Sequence, residues 1–96
     1  MTTYDLQFLA SAQKEWAGLD NTVRQQFKRK LAERLKNPRV ESARLATMPD
    51  CYKIKLAALG YRMVYQVKDA TVTVIVVAIG KRERSVVYSV ALTRMH

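Results

Sequence analysis

The sequence has few of the side chains on which small enzymes commonly depend. It contains one cysteine, Cys51, and one histidine, His96. A lone cysteine cannot form an internal disulfide, and one cysteine with one histidine is too small a ligand set for zinc. Histidine-based acid–base catalysis is disfavoured because the one histidine, His96, is the last residue of the sequence. The eight carboxylates are scattered, so we expect no two-metal nuclease site and neither a metal nor another cofactor.

Phosphate-binding loops and membrane segments are missing as well. Only three glycines occur, and none belongs to a glycine-rich phosphate-binding loop. No apolar run approaches the roughly 18 residues that suggest a transmembrane helix. Residues 1–5 lack the basic leader and apolar core that are typical of a signal peptide. Together with the single cysteine, these absences predict a protein of the reducing cytoplasm.

The composition describes a small and strongly basic globular chain. Its 96 residues are 49% apolar, which predicts one domain over residues 1–96 with a modest core. The formal charge is +9, and the excess is concentrated in residues 51–96, which carry eight basic residues against two acidic ones. This basicity favours a nucleic-acid partner, with a charge that serves only solubility as the alternative.

The first half predicts a short strand followed by a helical hairpin. Apolar and polar residues alternate over residues 4–8, and the spacing becomes helical over residues 10–18. Asp20 or Asn21 should cap a second helix, which should end at Asn37 because Pro38 follows. One apolar stripe runs along this second helix and consists of Val23, Phe27, Leu31 and Leu35.

Two features of this hairpin allow two interpretations each. Trp16 is interpreted as a core anchor, with base stacking as the alternative. The outer face of the second helix is basic, and its cations include Lys28, Arg29 and Lys30. These cations predict either a solvated face or contacts with an RNA backbone.

The second half predicts a sheet. A short edge strand is expected over residues 45–48, followed by strands over residues 52–56 and 61–68 that alternate apolar and polar positions. Pairing their apolar faces across a four-residue loop sets Leu56 opposite Tyr61 and Lys55 opposite Arg62. Like charges in direct opposition destabilise a sheet, so these cations, with Lys53 nearby, predict a bound anion.

The remainder predicts a central strand and a short helix. Residues 72–79 are apolar on both faces, as in a strand with neighbours on both sides. The cations Lys81, Arg82 and Arg84 come next. Residues 85–95 favour a short helix, although their β-branched content leaves a strand-like tail as the alternative.

A set of cations and one phenol is therefore what remains for chemistry: Lys53, Lys55, Arg62, Lys81, Arg82, Arg84 and Tyr88. Such a set suits RNA cleavage, because RNA carries its own nucleophile, the 2′-hydroxyl. Arginine can clamp the phosphate, and crowded cations favour a neutral lysine or a tyrosinate as the base. Stacking of Tyr88 on a base and a passive nucleic-acid patch without catalysis are the alternatives.

Several motifs resemble the RelE family of toxins from bacterial toxin–antitoxin modules. They extend over nearly the whole chain and read MPDCYKIKL at 48–56, GYRMVYQV at 60–67, GKRERS at 80–85 and VYS at 87–89. The resemblance implies an α+β fold of the RelE-like, microbial-ribonuclease-like type. In this fold an N-terminal helical hairpin packs on a mainly antiparallel twisted sheet of about four strands, with a short C-terminal helix.

The resemblance also implies an activity. It implies a metal-independent endoribonuclease that cuts mRNA in the A site of the 70S ribosome, on the 30S subunit. The family's catalytic positions match Lys53, Lys55, Arg62, Arg82 and Tyr88. Lys55 or Tyr88 is then the base, while Lys53 and Arg62 stabilise the transition state and Arg82 acts on the leaving group or the phosphate.

Partners follow from the resemblance too. A RelB-like antitoxin should neutralise the protein, and operator DNA should be bound only through the complex with that antitoxin. Lys81, Arg84, Lys28, Arg29 and Lys30 are expected to contact RNA on the ribosome. Ala46 and Ala57 stand where the resemblance leads us to expect basic residues, which predicts weaker RNA docking. A gyrase poison of the ParE type and a passive RNA-binding module are the competing functions.

Overall fold

The computed structural model describes residues 3–81 and 86–95. In this part of the chain the elements are β1 (Asp5–Phe8), α1 (Ala10–Ala17), α2 (Asn21–Lys36), β2 (Cys51–Leu56), β3 (Tyr61–Lys68), β4 (Thr73–Lys81) and α3 (Val86–Arg94). The predicted α+β fold is confirmed, with its N-terminal hairpin, four strands and short C-terminal helix. None of the three described helices has the length and hydropathy needed to cross a membrane.

The hairpin forms because local signals and an apolar stripe agree. Asp20 is the N-cap of α2, and its carboxylate accepts a hydrogen bond from the backbone N–H of Thr22 at 3.1 Å. Val23, Phe27 and Leu31 of the predicted stripe are buried against the sheet. The ring of Trp16 lies 5.3 Å from that of Phe8 and 6.4 Å from that of Phe27. Trp16 is therefore a core anchor.

The sheet has the strand order β1-β4-β3-β2. β1 runs parallel to β4, whereas the β4–β3 and β3–β2 pairs are antiparallel. β4 has a neighbour on each side, which explains its apolar composition on both faces. The predicted register is confirmed, since Leu56 lies opposite Tyr61 and Lys55 opposite Arg62.

Each face of the sheet has its own apolar cluster. On one face, α1 and α2 cover a core that includes Phe27, Ile54 and Met63. On the other face, α3 places Val87 and Ala91 against a second cluster. That cluster also contains Val77 and Ala78, two consecutive residues of β4 that should point in opposite directions in a regular strand. The β3–β4 register shifts beside them: Val64 pairs with Ala78 and Tyr65 with Val76, so Val77 has no partner on β3. This bulge explains how both side chains reach the same cluster.

The edge strand predicted over residues 45–48 is wrong. This segment instead follows a short 3₁₀ turn, Glu41–Ala43. It meets the sheet where Arg44 bridges to Tyr52 and where the backbone N–H of Leu45 donates to the carbonyl of Cys51 at 3.0 Å. The backbone N–H of Met48 donates to the carbonyl of Leu45, and that of Cys51 donates to the carbonyl of Met48. Asp50 is left-handed at φ 62°, so the chain turns sharply before β2, and the Asp50 carbonyl accepts from the backbone N–H of Val67 on β3.

A buried hydrogen-bond network joins the end of α2 to the sheet. The Tyr65 hydroxyl donates to the carbonyl of Pro38 at 2.7 Å and accepts from the Arg34 guanidinium at 2.9 Å. The same nitrogen of Arg34 donates to the carbonyl of Lys53 at 3.0 Å. Burial raises the pKa of Tyr65, so its hydroxyl stays protonated as the donor. The backbone at Lys53 is thus fixed from the helical side of the sheet.

Candidate functional site

A row of paired residues crosses the sheet on the face covered by α3. Lys55 on β2 pairs with Arg62 on β3, which pairs with Gly80 on β4. Lys53 lies two positions before Lys55 on the same face of β2 and pairs with Val64. Lys55 is exposed, whereas Lys53 and Arg62 are half-buried. Three of the predicted site cations therefore share one face.

The alternation of β2 explains how these lysines reach that face. Tyr52, Ile54 and Leu56 are buried in the core beneath the helical hairpin. Successive side chains of a strand point to opposite faces, so the two lysines between them must point away from that core. The apolar pattern of the strand therefore fixes the direction of its cations.

Helix α3 brings the phenol to the same place. The guanidinium carbon of Arg62 lies 5.3 Å from the ring centroid of Tyr88, which is the geometry of a cation–π contact. The Tyr88 hydroxyl and the Arg62 Nε are buried, and neither has a hydrogen-bond partner within the described part of the chain. Buried polar atoms are nearly always hydrogen-bonded, so each of these two atoms has bonding capacity that no described residue uses.

This arrangement suits an anion better than a metal. Lysine and arginine donate hydrogen bonds and accept none, so they can surround a phosphate but cannot bind a cation. Across residues 3–81 and 86–95, no three His, Cys, Asp or Glu side chains come together as a metal site. The described site thus offers three cations for an anionic group and one phenol able to exchange a proton.

Other predicted site residues lie at the edge of the described structure or outside it. Lys81 is exposed at the end of β4, one position beyond Gly80, and pairs with Tyr61. Arg82 and Arg84 lie outside the described residues.

The basic residues of α2 are not part of this cluster. Lys28, Arg29 and Lys30 are exposed on a helix that packs against the opposite face of the sheet. No ion pair joins them to another described residue, so they form a separate basic surface. We call Lys28, Arg29 and Lys30 the α2 basic patch.

Three further residues next to the site were missed in the sequence. Glu15 on α1 forms an ion pair with Arg94 on α3 at 2.8 Å, although the two are 79 positions apart. No local pattern could have linked them. An ideal Cβ on Gly80 would lie 2.9 Å from Cγ2 of Val87, which is too close. A glycine inside an apolar strand is the signal that could have indicated this close approach.

Known proteins with similar sequences and structures agree with this description. Residues 6–86 match the family model of the ParE toxin of the type II toxin–antitoxin system parDE. The chain is 56% identical over 92 residues to the mRNA interferase toxin RelE of Escherichia coli (strain K12), covering 96% of this chain and 97% of that protein.

Solved structures give the same result. A double mutant of the E. coli toxin RelE in the free state matches with a TM-score of 0.91 and 53% identity, over 99% of this chain and 100% of that one. The toxin in the intact E. coli RelBE toxin–antitoxin complex matches with a TM-score of 0.81 and 56% identity, over 84% of this chain and 99% of that one. The chain therefore belongs to the RelE toxins of the RelE/ParE toxin superfamily.

Proposed function

We propose that this protein is the toxin of a type II toxin–antitoxin system and acts in the cytoplasm as an mRNA interferase. It would cut messenger RNA in the A site of the ribosome and so inhibit translation. Its relative in E. coli is named an mRNA interferase, and the two chains match over nearly their whole lengths.

One observation carries the proposal. Arg62 Nε and the Tyr88 hydroxyl are buried side by side without a hydrogen-bond partner among the described residues. Leaving a buried polar atom unpaired costs about 1–3 kcal/mol. Two such groups on the sheet face that carries Lys53 and Lys55 support the proposal of a phosphodiester-binding site.

The proposed reaction is an internal transesterification. The 2′-hydroxyl oxygen attacks the adjacent phosphorus, and Tyr88 as the phenolate, or Lys55 as the neutral amine, takes its proton. The bond from phosphorus to the 5′-oxygen breaks as the new bond forms. The products are a 2′,3′-cyclic phosphate and a 5′-hydroxyl. The leaving 5′-oxygen takes its proton from solvent water, and the protonated base returns its proton to solvent. No metal enters any step.

The cations stabilise the charge that develops in the transition state. Arg62 and Lys53 lie on the same face of the sheet and would bind the non-bridging phosphate oxygens. Arg82 would act on the leaving oxygen through its charge, because a guanidinium gives up its proton too reluctantly to be an effective acid. Lys81 and Arg84, on either side of Arg82 in the sequence, would bind neighbouring phosphates.

The ribosome and the antitoxin complete the proposal. We call the sheet face that carries Lys53, Lys55 and Arg62 the catalytic face. The α2 basic patch lies on the opposite side of the sheet and would contact ribosomal RNA while the message occupies the catalytic face. A RelB-like antitoxin would neutralise the toxin, as expected from the E. coli relative that was solved in a RelBE toxin–antitoxin complex. The toxin would reach operator DNA, and so repress its own operon, only through that complex.

A gyrase poison is the second candidate, because the matching family model is named for ParE. The residues of this chain weigh against it. A poison that only binds its target does not require a phenol and two lysines around a half-buried arginine. Identity of 56% to a protein named an mRNA interferase points the same way.

The test uses programmed ribosomes with an empty A site and end-labelled message. Tyr88→Phe removes one hydroxyl and should slow cleavage by about 10²–10⁴-fold, the usual contribution of a general base. Arg62→Ala should slow it by about 10²–10³-fold through loss of charge stabilisation. Tyr4→Phe is the matched control and should leave cleavage unchanged, since among the described residues the Tyr4 hydroxyl bonds only to Asp69.

The products decide between the candidate functions. A cut in the A site that ends in a 2′,3′-cyclic phosphate and is slowed in both variants supports the ribonuclease. DNA breaks in a gyrase assay with intact message would establish the ParE-type function instead. Ribosome binding without any cut would leave a passive RNA-binding protein.

A further inference from the structure

We infer that Glu15, Arg94 and Gly80 are positioning residues that clamp α3 to the sheet and so hold Tyr88 over Arg62. This inference rests on the proposed function, because it assigns to Tyr88 the role of a reacting group. The clamp has two fixed points, one on each side of Tyr88 along the helix. We define it by three contacts: the Glu15–Arg94 ion pair, the bonds of this pair to β4, and the packing of Val87 on Gly80.

The first fixed point is at the C-terminal end of α3. Both nitrogens of the Arg94 fork donate to the Glu15 carboxylate, at 2.8 and 3.1 Å. A bidentate arginine–carboxylate pair fixes orientation as well as distance. The Glu15 and Arg94 side chains are 32% and 22% exposed, so solvent screens the pair less than a surface ion pair.

The same two side chains also hold the edge of β4. Oε1 of Glu15 accepts from the backbone N–H of Ile79 at 3.1 Å, and Arg94 donates to the carbonyl of Val77 at 2.8 Å. β1 stops pairing with β4 at Val76, so these groups lie just beyond the end of that pairing. The ion pair thus occupies the edge of β4 that β1 leaves unpaired, and it attaches α1 to Ile79 and α3 to Val77.

The second fixed point is beside Tyr88. Val87 packs against Gly80 so closely that a Cβ at Gly80 would lie only 2.9 Å from Cγ2 of Val87. Gly80 is also the partner of Arg62 across the sheet. The residue that allows α3 to approach therefore belongs to the same row as the arginine that Tyr88 covers.

The helix needs such a clamp because its own tendency to form is weak. α3 has nine residues and begins with two valines, and a helix of this length is marginal without tertiary contacts. The Tyr88 hydroxyl has no hydrogen bond within the described residues that would hold the ring in place. The orientation of Tyr88 therefore depends on how α3 is anchored at either end.

Two variants test the clamp, each with a matched control. Glu15→Gln removes the negative charge of the ion pair and keeps an oxygen that can accept from the backbone N–H of Ile79. Glu41→Gln is its control, because it makes the same change in the exposed ion pair with Arg44. Gly80→Ala places a Cβ 2.9 Å from Cγ2 of Val87, so the Val87 side chain or α3 itself must shift, and we expect α3 to move away from β4. Gly18→Ala is its control, because a Cβ there would meet only ordinary contacts at 3.7 Å.

The first measurement is amide hydrogen exchange in the free protein, which does not depend on activity. We expect exchange of the α3 amides to become at least about tenfold faster in Glu15→Gln and Gly80→Ala, since local opening controls it. The second measurement is the rate of message cleavage on programmed ribosomes, at a temperature well below the midpoint of thermal unfolding of each variant. We expect kcat to fall by about 10–100-fold with an unchanged half-saturating ribosome concentration, the result of a misplaced reacting group.

Each alternative result overturns a defined part of the inference. Unchanged exchange in α3 would show that the contacts do not clamp the helix. Faster exchange with an unchanged kcat would show that the clamp is structural and does not position Tyr88. Absence of cleavage by the parent protein would overturn the proposed function and the catalytic use of the clamp, while exchange would still decide whether the clamp exists.

Discussion

At the scale of single residues, burial makes the side chain of Cys51 chemically different from that of Lys53 on the same strand. It lies two positions before Lys53 on the same face of β2 but is fully buried beside Met48 and Val64. Burial, with a smaller contribution from Asp50, raises the pKa of its thiol to about 11. The thiol therefore stays protonated at neutral pH and is not a nucleophile for the neighbouring site.

The raised pKa of Cys51 predicts a loss of stability in alkali. The folded thiol keeps its proton up to about pH 11, whereas the unfolded thiol loses it near its ordinary value of 9.0. The contribution of the protonated thiol to the free energy of unfolding is thus complete below pH 9 and is lost as the pH rises towards 11. Two pH units correspond to roughly 2.7 kcal/mol at most. Urea unfolding of the parent and of Cys51→Ala at several pH values should show a shallower decline in the variant, and equal slopes would contradict the raised pKa.

At the scale of elements, Tyr65 is the point where the hairpin and the sheet are joined. Its ring is fully buried and stacks on Tyr52 with centroids 5.8 Å apart. Its hydroxyl links Arg34 of α2 to the carbonyl of Pro38, in the segment that follows the helix. Because Arg34 also bonds to the carbonyl of Lys53, this junction supports β2 from the side of the sheet opposite Lys53 and Lys55.

Removal of the Tyr65 hydroxyl should therefore destabilise the fold. Tyr65→Phe leaves the Pro38 carbonyl without its donor and Arg34 without one acceptor, which should lower the free energy of unfolding by about 1–3 kcal/mol. Tyr61→Phe on the same strand is the control and should change it by less than about 0.5 kcal/mol. Chemical denaturation of both variants gives the comparison. A similar effect for the two would mean that the buried network contributes little.

The elements that the sequence predicts correctly are those set by local rules. Alternating apolar residues fixed the β2–β3 register, and with it the opposition of Lys55 and Arg62. The Asp20 cap and Pro38 gave the limits of α2. Residues 45–48 were mistaken for a strand because their turn hydrogen bonds, and the left-handed backbone at Asp50 that follows them, have no apolar signature.

Features made by distant residues could not be predicted in this way. Tyr88 was predicted as a site residue, but its position over Arg62 depends on how α3 packs on β3 and β4. The Glu15–Arg94 pair joins two helices through the edge of a strand that lies between them in the sequence. Neither residue has a neighbour in the sequence that points to the other. Only the assembled sheet creates the free edge that they cover.

At the scale of the whole molecule, the sheet separates two basic surfaces. Lys53, Lys55 and Arg62 lie on the face under α3, and the α2 basic patch lies on the helical hairpin that covers the other face. A single phosphate bound beside Lys53, Lys55 and Arg62 would therefore not contact the α2 basic patch. A partner large enough to surround the protein, such as the ribosome, would contact the two surfaces at once.

This separation predicts that binding and cleavage can be changed independently. Replacing Lys28, Arg29 and Lys30 by glutamine should weaken ribosome binding and leave kcat at saturation unchanged, because no group of the catalytic face is altered. Each lost phosphate contact should reduce the slope of log affinity against log salt by about 1, hence by up to about 3 for the triple variant. The measurement is a binding titration on programmed ribosomes at several salt concentrations, with cleavage rates at saturation.

The control must remove the same charge elsewhere. Replacing Lys14, Lys36 and Lys68 by glutamine also lowers the net charge by three, but these exposed residues belong to three different elements. If the patch is a docking surface, this variant should retain most of the salt dependence, since dispersed charges make few simultaneous contacts with phosphates. Equal losses in both variants would mean that overall charge attracts the protein to RNA, and the α2 basic patch would then have no special role.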